Sequence, residues 1–181
     1  MNKKELKNTS TSLITQQILE LAKNIKLLVC DIDGVMTNNI IYVDHNGEEL
    51  RSFNVRDSYG IFCLKKFNIE VAVISGRYSK VVNYYCNTLN IKYIYQNKLN
   101  KVPILYEILD QTNLTVDNTA YIGDDLIDIP VMKLVKLSVA VSDAHPALFK
   151  IANYVTNYAG GNGAVREVCD LLLISQNKLV Y

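Results

Sequence analysis

The stretch Leu27–Thr37, which reads LLVCDIDGVMT, places two carboxylates directly after an unbroken apolar run. Such a run predicts a strand that is buried on both faces, as in a parallel sheet. Because an unpaired buried carboxylate is costly, Asp31 and Asp33 at the end of this strand need a partner. They either cap a turn or bind a positively charged group.

Strand-like and helix-like patterns alternate along the chain. The first strand is predicted at Ile25–Cys30, and further buried strands at Glu70–Ile74, Tyr93–Tyr95, Thr119–Ile122 and Leu137–Val141. Helical spacing predicts helices at Tyr78–Leu89, Val102–Leu109, Ile127–Lys133 and Val165–Leu173, and a short leading helix over Leu13–Ala22 after a flexible segment 1–12. This alternation favours an α/β fold, in which helices cover both faces of a parallel sheet.

Residues 40–54 break the alternation. The turn sequence Asp44-His-Asn-Gly47 lies between two short extended segments, and Asn-Gly is a strong hairpin signal. A β-hairpin inserted here, directly after the first strand, would project over whatever the acidic pair binds. With no repeat and no Pro/Gly-rich linker, residues 1–181 are predicted to form a single domain with a hairpin insertion.

Composition excludes several classes of function. The 181 residues are 49% apolar and 20% charged, and 19 Lys and Arg nearly balance 18 Asp and Glu. This balance gives no support for nucleic-acid or membrane-surface binding driven by overall charge. The four cysteines have no metal-ligand spacing, and neither a membrane span of roughly 18 apolar residues nor a signal peptide is found. The protein is therefore expected to be cytoplasmic.

Polar groups follow four of the predicted strands. They are Asp31 and Asp33, Ser75-Gly76-Arg77, Lys101, and Gly123-Asp124-Asp125. Each group alone could be a turn, a helix cap or a solvated lysine. Together they lie where an open parallel sheet binds its ligand, at the carboxyl ends of the strands. Carboxylates at this edge suit Mg²⁺, while a serine hydroxyl, backbone N–H groups and a lysine suit a phosphate.

These motifs resemble those of the haloacid dehalogenase superfamily of phosphohydrolases. Its first motif, DxDGxxT, corresponds to Asp31–Thr37, its second to Ser75, its third to Lys101, and its fourth to Gly123-Asp124-Asp125 with Asp128. Longer blocks over 24–179 are similar to the 3-deoxy-D-manno-octulosonate 8-phosphate (Kdo 8-phosphate) phosphatases, among them 46–50 (NGEEL), 53–57 (FNVRD), 59–61 (YGI), 123–128 (GDDLID) and 163–170 (GAVREVCD). The resemblance implies a single Rossmann-like domain that has no cap domain.

The resemblance also implies roles for individual residues. Asp31 would attack phosphorus and form a phospho-aspartate, and Asp33 would protonate the leaving sugar alkoxide and then activate water. The Asp31 side chain, the Asp33 backbone carbonyl and Asp124 would hold Mg²⁺, with Asp125 supporting them. Ser75 and Lys101 would bind the phosphate. The residues expected to face the sugar acid are Asp33, Asn54, Val55, Arg56, Asp57, Ser58, Arg77 and Lys101.

The family further implies a homotetramer, in which hairpins and neighbouring subunits cover the active site, and a place in lipopolysaccharide precursor biosynthesis. Three positions depart from the family pattern, because Phe62, Tyr85 and Asn162 stand where it has arginine, and Ser58 replaces a glycine. Phe and Tyr cannot copy a bidentate contact between a guanidinium and a carboxylate. A phosphatase for a nine-carbon 2-keto sugar acid phosphate is therefore an alternative substrate assignment.

Two further classes of function stay open. The chain could be a Mg²⁺-binding phospho-acceptor such as a receiver domain, although the receiver lysine follows the last acidic strand and Lys101 precedes Asp124. It could also be a regulatory relic that binds metal or partners only. A phosphomutase is less favoured, because no cap domain is predicted to hold a second phosphate.

Overall fold

Six parallel strands form the central sheet of the computed structural model, which describes residues 15–178. In chain order its strands are β1 (Leu27–Cys30), β4 (Glu70–Ile74), β5 (Tyr93–Tyr95), β6 (Thr119–Gly123), β7 (Leu137–Ala140) and β8 (Tyr154–Val155), and they lie side by side in the order β5-β4-β1-β6-β7-β8. Every residue of β1, β6 and β7 is buried, including the polar Thr119 and Ser138, as expected for strands covered on both faces. The predicted α/β fold with a parallel sheet is therefore confirmed.

Within residues 15–178, six α-helices accompany the sheet. They are α1 (Gln16–Ala22), α2 (Val55–Lys66), α3 (Lys80–Thr88), α4 (Val102–Thr112), α5 (Ile129–Met132) and α6 (Ala164–Ser175). Helices α1 and α2 both pack on α6, while α4 packs on α5. In the described part of the chain, no helix is both long and apolar enough to cross a bilayer.

The hairpin insertion is confirmed, but its ladder is shorter than the predicted segment 40–54. Strands β2 (Tyr42–Val43) and β3 (Glu49–Leu50) pair antiparallel, with Tyr42 opposite Leu50. The Asp44 carboxylate closes the turn, since its Oδ1 accepts the N–H of Asn46 at 2.9 Å and of Glu48 at 2.8 Å. Between residues 15 and 178 this hairpin, and no larger cap, is what the chain inserts after β1.

Some predicted boundaries differ from the observed ones. The strand predicted at Ile25–Cys30 pairs only from Leu27, and the helix predicted at Ile127–Lys133 is a 3-10 turn at Leu126–Asp128 followed by α5. Helix α2 and strand β8 were not predicted. The first 12 residues, and Leu13 and Ile14 of the predicted leading helix, lie outside the described residues.

Candidate active site

Strand register brings the predicted acids to one edge of the sheet. Cys30 at the end of β1 lies beside Val73 of β4 on one side and Ile122 of β6 on the other. The chain then continues into Asp31 after β1 and Asp124 after β6. The chain order reverses between these two strands, which is where open α/β sheets bind their ligands.

Three carboxylates converge at this edge. One oxygen from each of Asp31, Asp124 and Asp128 lies within 4.8 Å of an oxygen from each of the other two, and all three residues are buried. We call these residues the three-acid cluster. Asp128 enters the cluster because its carboxylate folds back under the β6 loop, where Oδ2 accepts the N–H groups of Asp124 at 3.0 Å and Asp125 at 3.1 Å.

Lys101 bridges two members of the cluster. Its Nζ lies 3.0 Å from Asp31 Oδ2 and donates to Asp128 Oδ1 at 2.7 Å and to the Tyr121 hydroxyl at 3.1 Å. The Tyr121 hydroxyl itself donates to Asp128 Oδ1 at 2.6 Å. One ammonium group among three carboxylates leaves an excess of negative charge in a buried site.

The pKa values reflect this excess. Burial, together with the neighbouring carboxylates of Asp31 and Asp128, raises the pKa of Asp124 to about 8. Burial also raises the pKa of Asp31 to about 7, although Lys101 acts in the opposite direction. In the protein alone, the cluster therefore retains protons at pH values where isolated aspartates have lost theirs.

The backbone of the first motif approaches the cluster closely. A Cβ atom at Gly34 would lie 2.0 Å from Asp124 Oδ2, and Gly34 has a φ of +81° that disfavours other residues. Asn39, with a φ of +64°, donates from Nδ2 to the same Asp124 oxygen at 3.3 Å. The glycine of the motif therefore makes room for the carboxylate of the fourth motif.

Asp33 has different surroundings from Asp31. Its Oδ1 forms an ion pair with Nη1 of Arg51, a residue that directly follows β3 of the hairpin. Arg51 also binds Oε2 of Glu49, through Nη2 at 3.1 Å and Nε at 3.3 Å. The other oxygen of Glu49 accepts from Arg77 Nη2 at 3.4 Å. The Asp33 side chain therefore lies outside the three-acid cluster, while its backbone carbonyl stays a predicted metal ligand.

A cleft of about 160 Å³ opens onto these groups, and its lining includes Asp31, Asp33, Asn39, Arg77, Asp124 and Asp125. Ser75 and Lys101, the predicted phosphate ligands, are buried next to lining residues, Ser75 beside Gly76 and Lys101 beside the Asp31 carboxylate. The Ser75 hydroxyl accepts the N–H of Arg77 at 3.3 Å. Asp125 is exposed and caps the following 3-10 turn by accepting the N–H of Leu126 at 2.7 Å, so its predicted support of the metal stays a prediction.

Four of the residues expected to face the sugar acid lie at the start of α2, and they differ in exposure. Val55 and Arg56 are exposed, and Asn54 caps α2 by accepting the Arg56 N–H at 2.8 Å. Asp57 is instead buried, and its Oδ1 accepts the N–H of Arg166 in α6 at 2.7 Å. Burial raises the pKa of Asp57 to about 6. Asp57 thus fastens α2 to α6, which the sequence did not indicate.

The non-arginine residues at the three divergent positions have their own surroundings. Tyr85 bonds to the Ser58 hydroxyl at 2.5 Å, and its ring stacks on Phe53 with centroids 3.7 Å apart. Asn162 donates to the Gly160 carbonyl at 3.0 Å, and Phe62 is exposed on α2. No carboxylate-binding guanidinium is present at these positions.

Arg51, Asn39 and Tyr121 contribute to the site without having been predicted. Asn39 lies 85 residues from Asp124 along the chain and carries no periodic signal. Tyr121 looks like any other apolar residue of β6. Of the three, Arg51 was the easiest to predict from the sequence, because it lies in the hairpin segment that follows the acidic pair.

The cluster's chemistry fits a divalent cation. Its three carboxylates supply oxygen ligands, their excess negative charge is not compensated by Lys101, and the raised pKa values show how unfavourable their joint ionisation is without a further cation. Mg²⁺ is commonly bound by one or two carboxylates together with substrate phosphates, so a site of this kind is suited to phosphoryl transfer.

The family profile of the haloacid dehalogenase-like hydrolases matches residues 64–168. The chain belongs to this class of hydrolases.

Similar sequences and similar solved structures identify the family within this class. The 3-deoxy-D-manno-octulosonate 8-phosphate phosphatase of Salmonella typhi is 53% identical over 166 residues, which cover 92% of this chain and 88% of that protein. The Yersinia pestis phosphatase of the same name has a solved structure with a TM-score of 0.91 and 51% identity, covering 92% of this chain and 90% of that one. The Moraxella catarrhalis phosphatase was solved with a magnesium ion, a phosphate ion and KDO. Its structure has a TM-score of 0.88 and 34% identity, covering 91% of this chain and 94% of that one. Within its class, the chain therefore belongs to the 3-deoxy-D-manno-octulosonate 8-phosphate phosphatase family.

Proposed function

We propose that the protein is a Mg²⁺-dependent phosphomonoesterase that hydrolyses Kdo 8-phosphate to Kdo and phosphate, a step of lipopolysaccharide precursor biosynthesis. The observation that carries this proposal is the three-acid cluster, in which Asp31 and Asp128 share the buried ammonium group of Lys101 and Asp31 and Asp124 line the cleft. The similarity to phosphatases of this name over 92% of the chain supports the choice of substrate.

The side chains of Asp31 and Asp124 and the backbone carbonyl of Asp33 would hold the ion, with Asp128 fixing the loop that carries Asp124. Bound there, Mg²⁺ would polarise the phosphoryl oxygens and offset their charge. Lys101 would neutralise a further part of the charge that develops on the transferring group.

Asp31 is the proposed nucleophile. Its Oδ1 accepts the Ile32 N–H at 2.7 Å and its Oδ2 faces Lys101, so the carboxylate is held in one orientation at the cleft. Its attack on phosphorus forms the aspartyl phosphate as the bond to the sugar oxygen breaks. The backbone N–H groups after β4, together with Ser75, would bind the phosphate before and after this step.

Asp33 is the proposed acid and base. Its carboxylate lines the same cleft and has a side-chain exposure of 20%, so it can exchange protons with solvent. It would donate a proton to the departing sugar alkoxide, and then take one from the water that hydrolyses the phospho-aspartate.

A nine-carbon 2-keto sugar acid phosphate is the second candidate substrate. The observation that favours it is the absence of a guanidinium at positions 62, 85 and 162. Arg77, which lines the cleft with a side chain 59% exposed, is then our candidate for binding the sugar carboxylate.

We also propose that the protein is a homotetramer assembled through its hairpin. Ile40, Tyr42, Val43 and Leu50 are 49–66% exposed in the single chain. A two-stranded hairpin is only marginally stable alone, and clustered exposed apolar side chains mark interaction surfaces. A neighbouring subunit that packs on the hairpin would bury these side chains and cover the cleft.

The test is Mg²⁺-dependent phosphate release from a panel of 2-keto sugar acid phosphates, with Asp31→Asn as the control. The proposal predicts release from Kdo 8-phosphate much faster than from other sugar phosphates, and none from Asp31→Asn. Equal slow turnover across the panel would contradict the substrate, and fastest turnover of a nine-carbon substrate would favour the second candidate. Phosphorylation by acetyl phosphate without steady release would indicate a receiver-like phospho-acceptor instead, and a flat Mg²⁺ titration without hydrolysis a regulatory relic.

A further inference from the structure

Arg51 occupies an unusual position for a cation on a hairpin. Its side chain is only 1% exposed, although the hairpin's apolar residues point into solvent. Its guanidinium binds a carboxylate on each side, Asp33 and Glu49. Guanidinium groups bind carboxylates through several fixed donors, so they set the carboxylate's orientation as well as its charge balance.

The contact between Arg51 and Asp33 gives Asp33 different surroundings from those of Asp31. Asp31 belongs to the three-acid cluster, whereas the Asp33 carboxylate, two residues later, faces Arg51. A free carboxylate so close to a divalent cation site would be attracted to the ion. The guanidinium supplies a competing positive charge on the opposite side.

We propose that Arg51 is a positioning residue, which holds the Asp33 carboxylate in the cleft and apart from the three-acid cluster, so that Asp33 is available for proton transfer to the leaving group. This inference rests on the proposed function, in which Asp33 protonates the sugar alkoxide.

The ion pairs continue beyond Arg51 and connect the hairpin to the rim of the cleft. Glu49 accepts from Arg51 with one oxygen and from Arg77, in the loop after β4, with the other. The Asp33 carboxylate is therefore linked through Arg51 to the hairpin and through Glu49 to Arg77.

Leaving-group dependence distinguishes positioning of a proton donor from a general structural role. An alkoxide needs a proton as it departs, whereas p-nitrophenolate does not. Because kcat/KM reports the steps up to the first irreversible one, it isolates the departure of the leaving group from the later hydrolysis. The experiment compares kcat/KM for Kdo 8-phosphate and p-nitrophenyl phosphate in the wild type, Arg51→Met, Asp33→Asn and the double variant.

Arg51→Met should lower kcat/KM for the sugar phosphate by about 10- to 100-fold, a part of the roughly 100- to 10,000-fold that a positioned acid supplies. The value for p-nitrophenyl phosphate should change by less than about threefold. Arg51→Met should add nothing further in the Asp33→Asn background, and Arg51→Lys should recover part of the loss. Lys136→Met is the control for removal of a cation from an ion pair away from the site. Lys136 pairs with Asp117 and lies directly before β7, at the opposite edge of the sheet from the cleft.

A second readout does not depend on turnover. The increase in Tm that Mg²⁺ produces should be at least as large in Arg51→Met as in the wild type, because the three-acid cluster is intact and the freed Asp33 carboxylate is attracted to the ion. A smaller increase would overturn the inference. Equal losses on both substrates in Arg51→Met, with a selective loss in Asp33→Asn, would overturn the inference alone. Equal losses in Asp33→Asn would instead overturn the proton-donor role of Asp33, and the inference with it.

Discussion

Lys101 carries the charge balance of the site at the scale of a single residue. Burial alone would lower the pKa of its ammonium group, but the carboxylates of Asp31 and Asp128 outweigh burial and raise this pKa. The side chain is fully buried and has three polar partners within 3.1 Å. Removing one member of such a buried ionic cluster leaves the charge of the others uncompensated, which destabilises the folded protein.

Replacing Lys101 with Met should lower the free energy of unfolding by about 3–5 kcal/mol, because it leaves two buried carboxylates without their cation. Urea denaturation in the absence of Mg²⁺ measures this loss. The control is Lys98→Met, an exposed lysine in the same loop, for which a change within about 0.5 kcal/mol is expected. Equal stability of the two variants would show that Lys101 does not compensate the cluster.

Some residues of the site could be predicted from the sequence and others could not. Asp31, Asp33 and Asp124 are visible because carboxylates after buried strands demand an explanation. Arg51 and Asn39 are not, since their roles depend on contacts that only the folded chain creates. The resemblance predicts that Asp57 faces the sugar acid; in the structure this residue is buried, and its Oδ1 accepts the N–H of Arg166 in a neighbouring helix.

At the scale of elements, the parallel strands were predictable and helix α2 was not. Strand β1 is a continuous apolar run, and β4 and β6 are apolar after their first residues, Glu70 and Thr119. Such runs are typical of strands that are buried on both faces. In α2, the buried positions include Asp57 and Gly60, while Val55, Tyr59 and Phe62 are exposed. Ile61 and Leu64 are also buried, at helical spacing from Asp57 and Gly60. The apolar periodicity is nevertheless weak, because an acid and a glycine share the buried face with them while large apolar side chains lie outside it.

The hairpin tests the proposed assembly. Tyr42→Ser combined with Leu50→Ser removes two exposed apolar side chains that lie opposite each other in the ladder. We expect this variant to have a lower mass than the wild type in light scattering after size exclusion, because less apolar area is buried between subunits. Tyr106→Ser, which removes a comparably exposed tyrosine from α4, should leave the mass unchanged. A wild-type monomer, or an unchanged mass in the double variant, would contradict assembly through the hairpin.

At the scale of the whole molecule, the acidic cluster links stability to pH and to Mg²⁺. The pKa values of Asp31 and Asp124 are about 7 and about 8 in the folded protein, against an ordinary value of 3.8. Between about pH 4 and pH 8 the folded state therefore binds more protons than the unfolded chain, and linkage requires stability to fall as the pH rises. Asp57, with a pKa of about 6, adds to the fall below pH 6.

Mg²⁺ should oppose this fall, because a ligand that binds only the folded state stabilises it. At pH 6 the ion must displace protons from the cluster, whereas at pH 8 it meets carboxylates that are largely ionised and repel one another. We therefore expect a larger Mg²⁺-induced increase in Tm at pH 8 than at pH 6, measured by calorimetry at one ionic strength. Asp124→Asn should lose most of this difference. An increase that is equal at the two pH values in the wild type would argue against a cation site at the cluster.

The account depends most on the identity of the nucleophile. Its most direct test is acid quenching of the enzyme during turnover of Kdo 8-phosphate with Mg²⁺, followed by peptide mass spectrometry. We predict one phosphoryl group on Asp31 in the wild type and no such adduct in Asp31→Asn. Steady turnover with the phosphoryl group on another residue, or turnover that persists in Asp31→Asn, would contradict the assignment of Asp31 as the nucleophile.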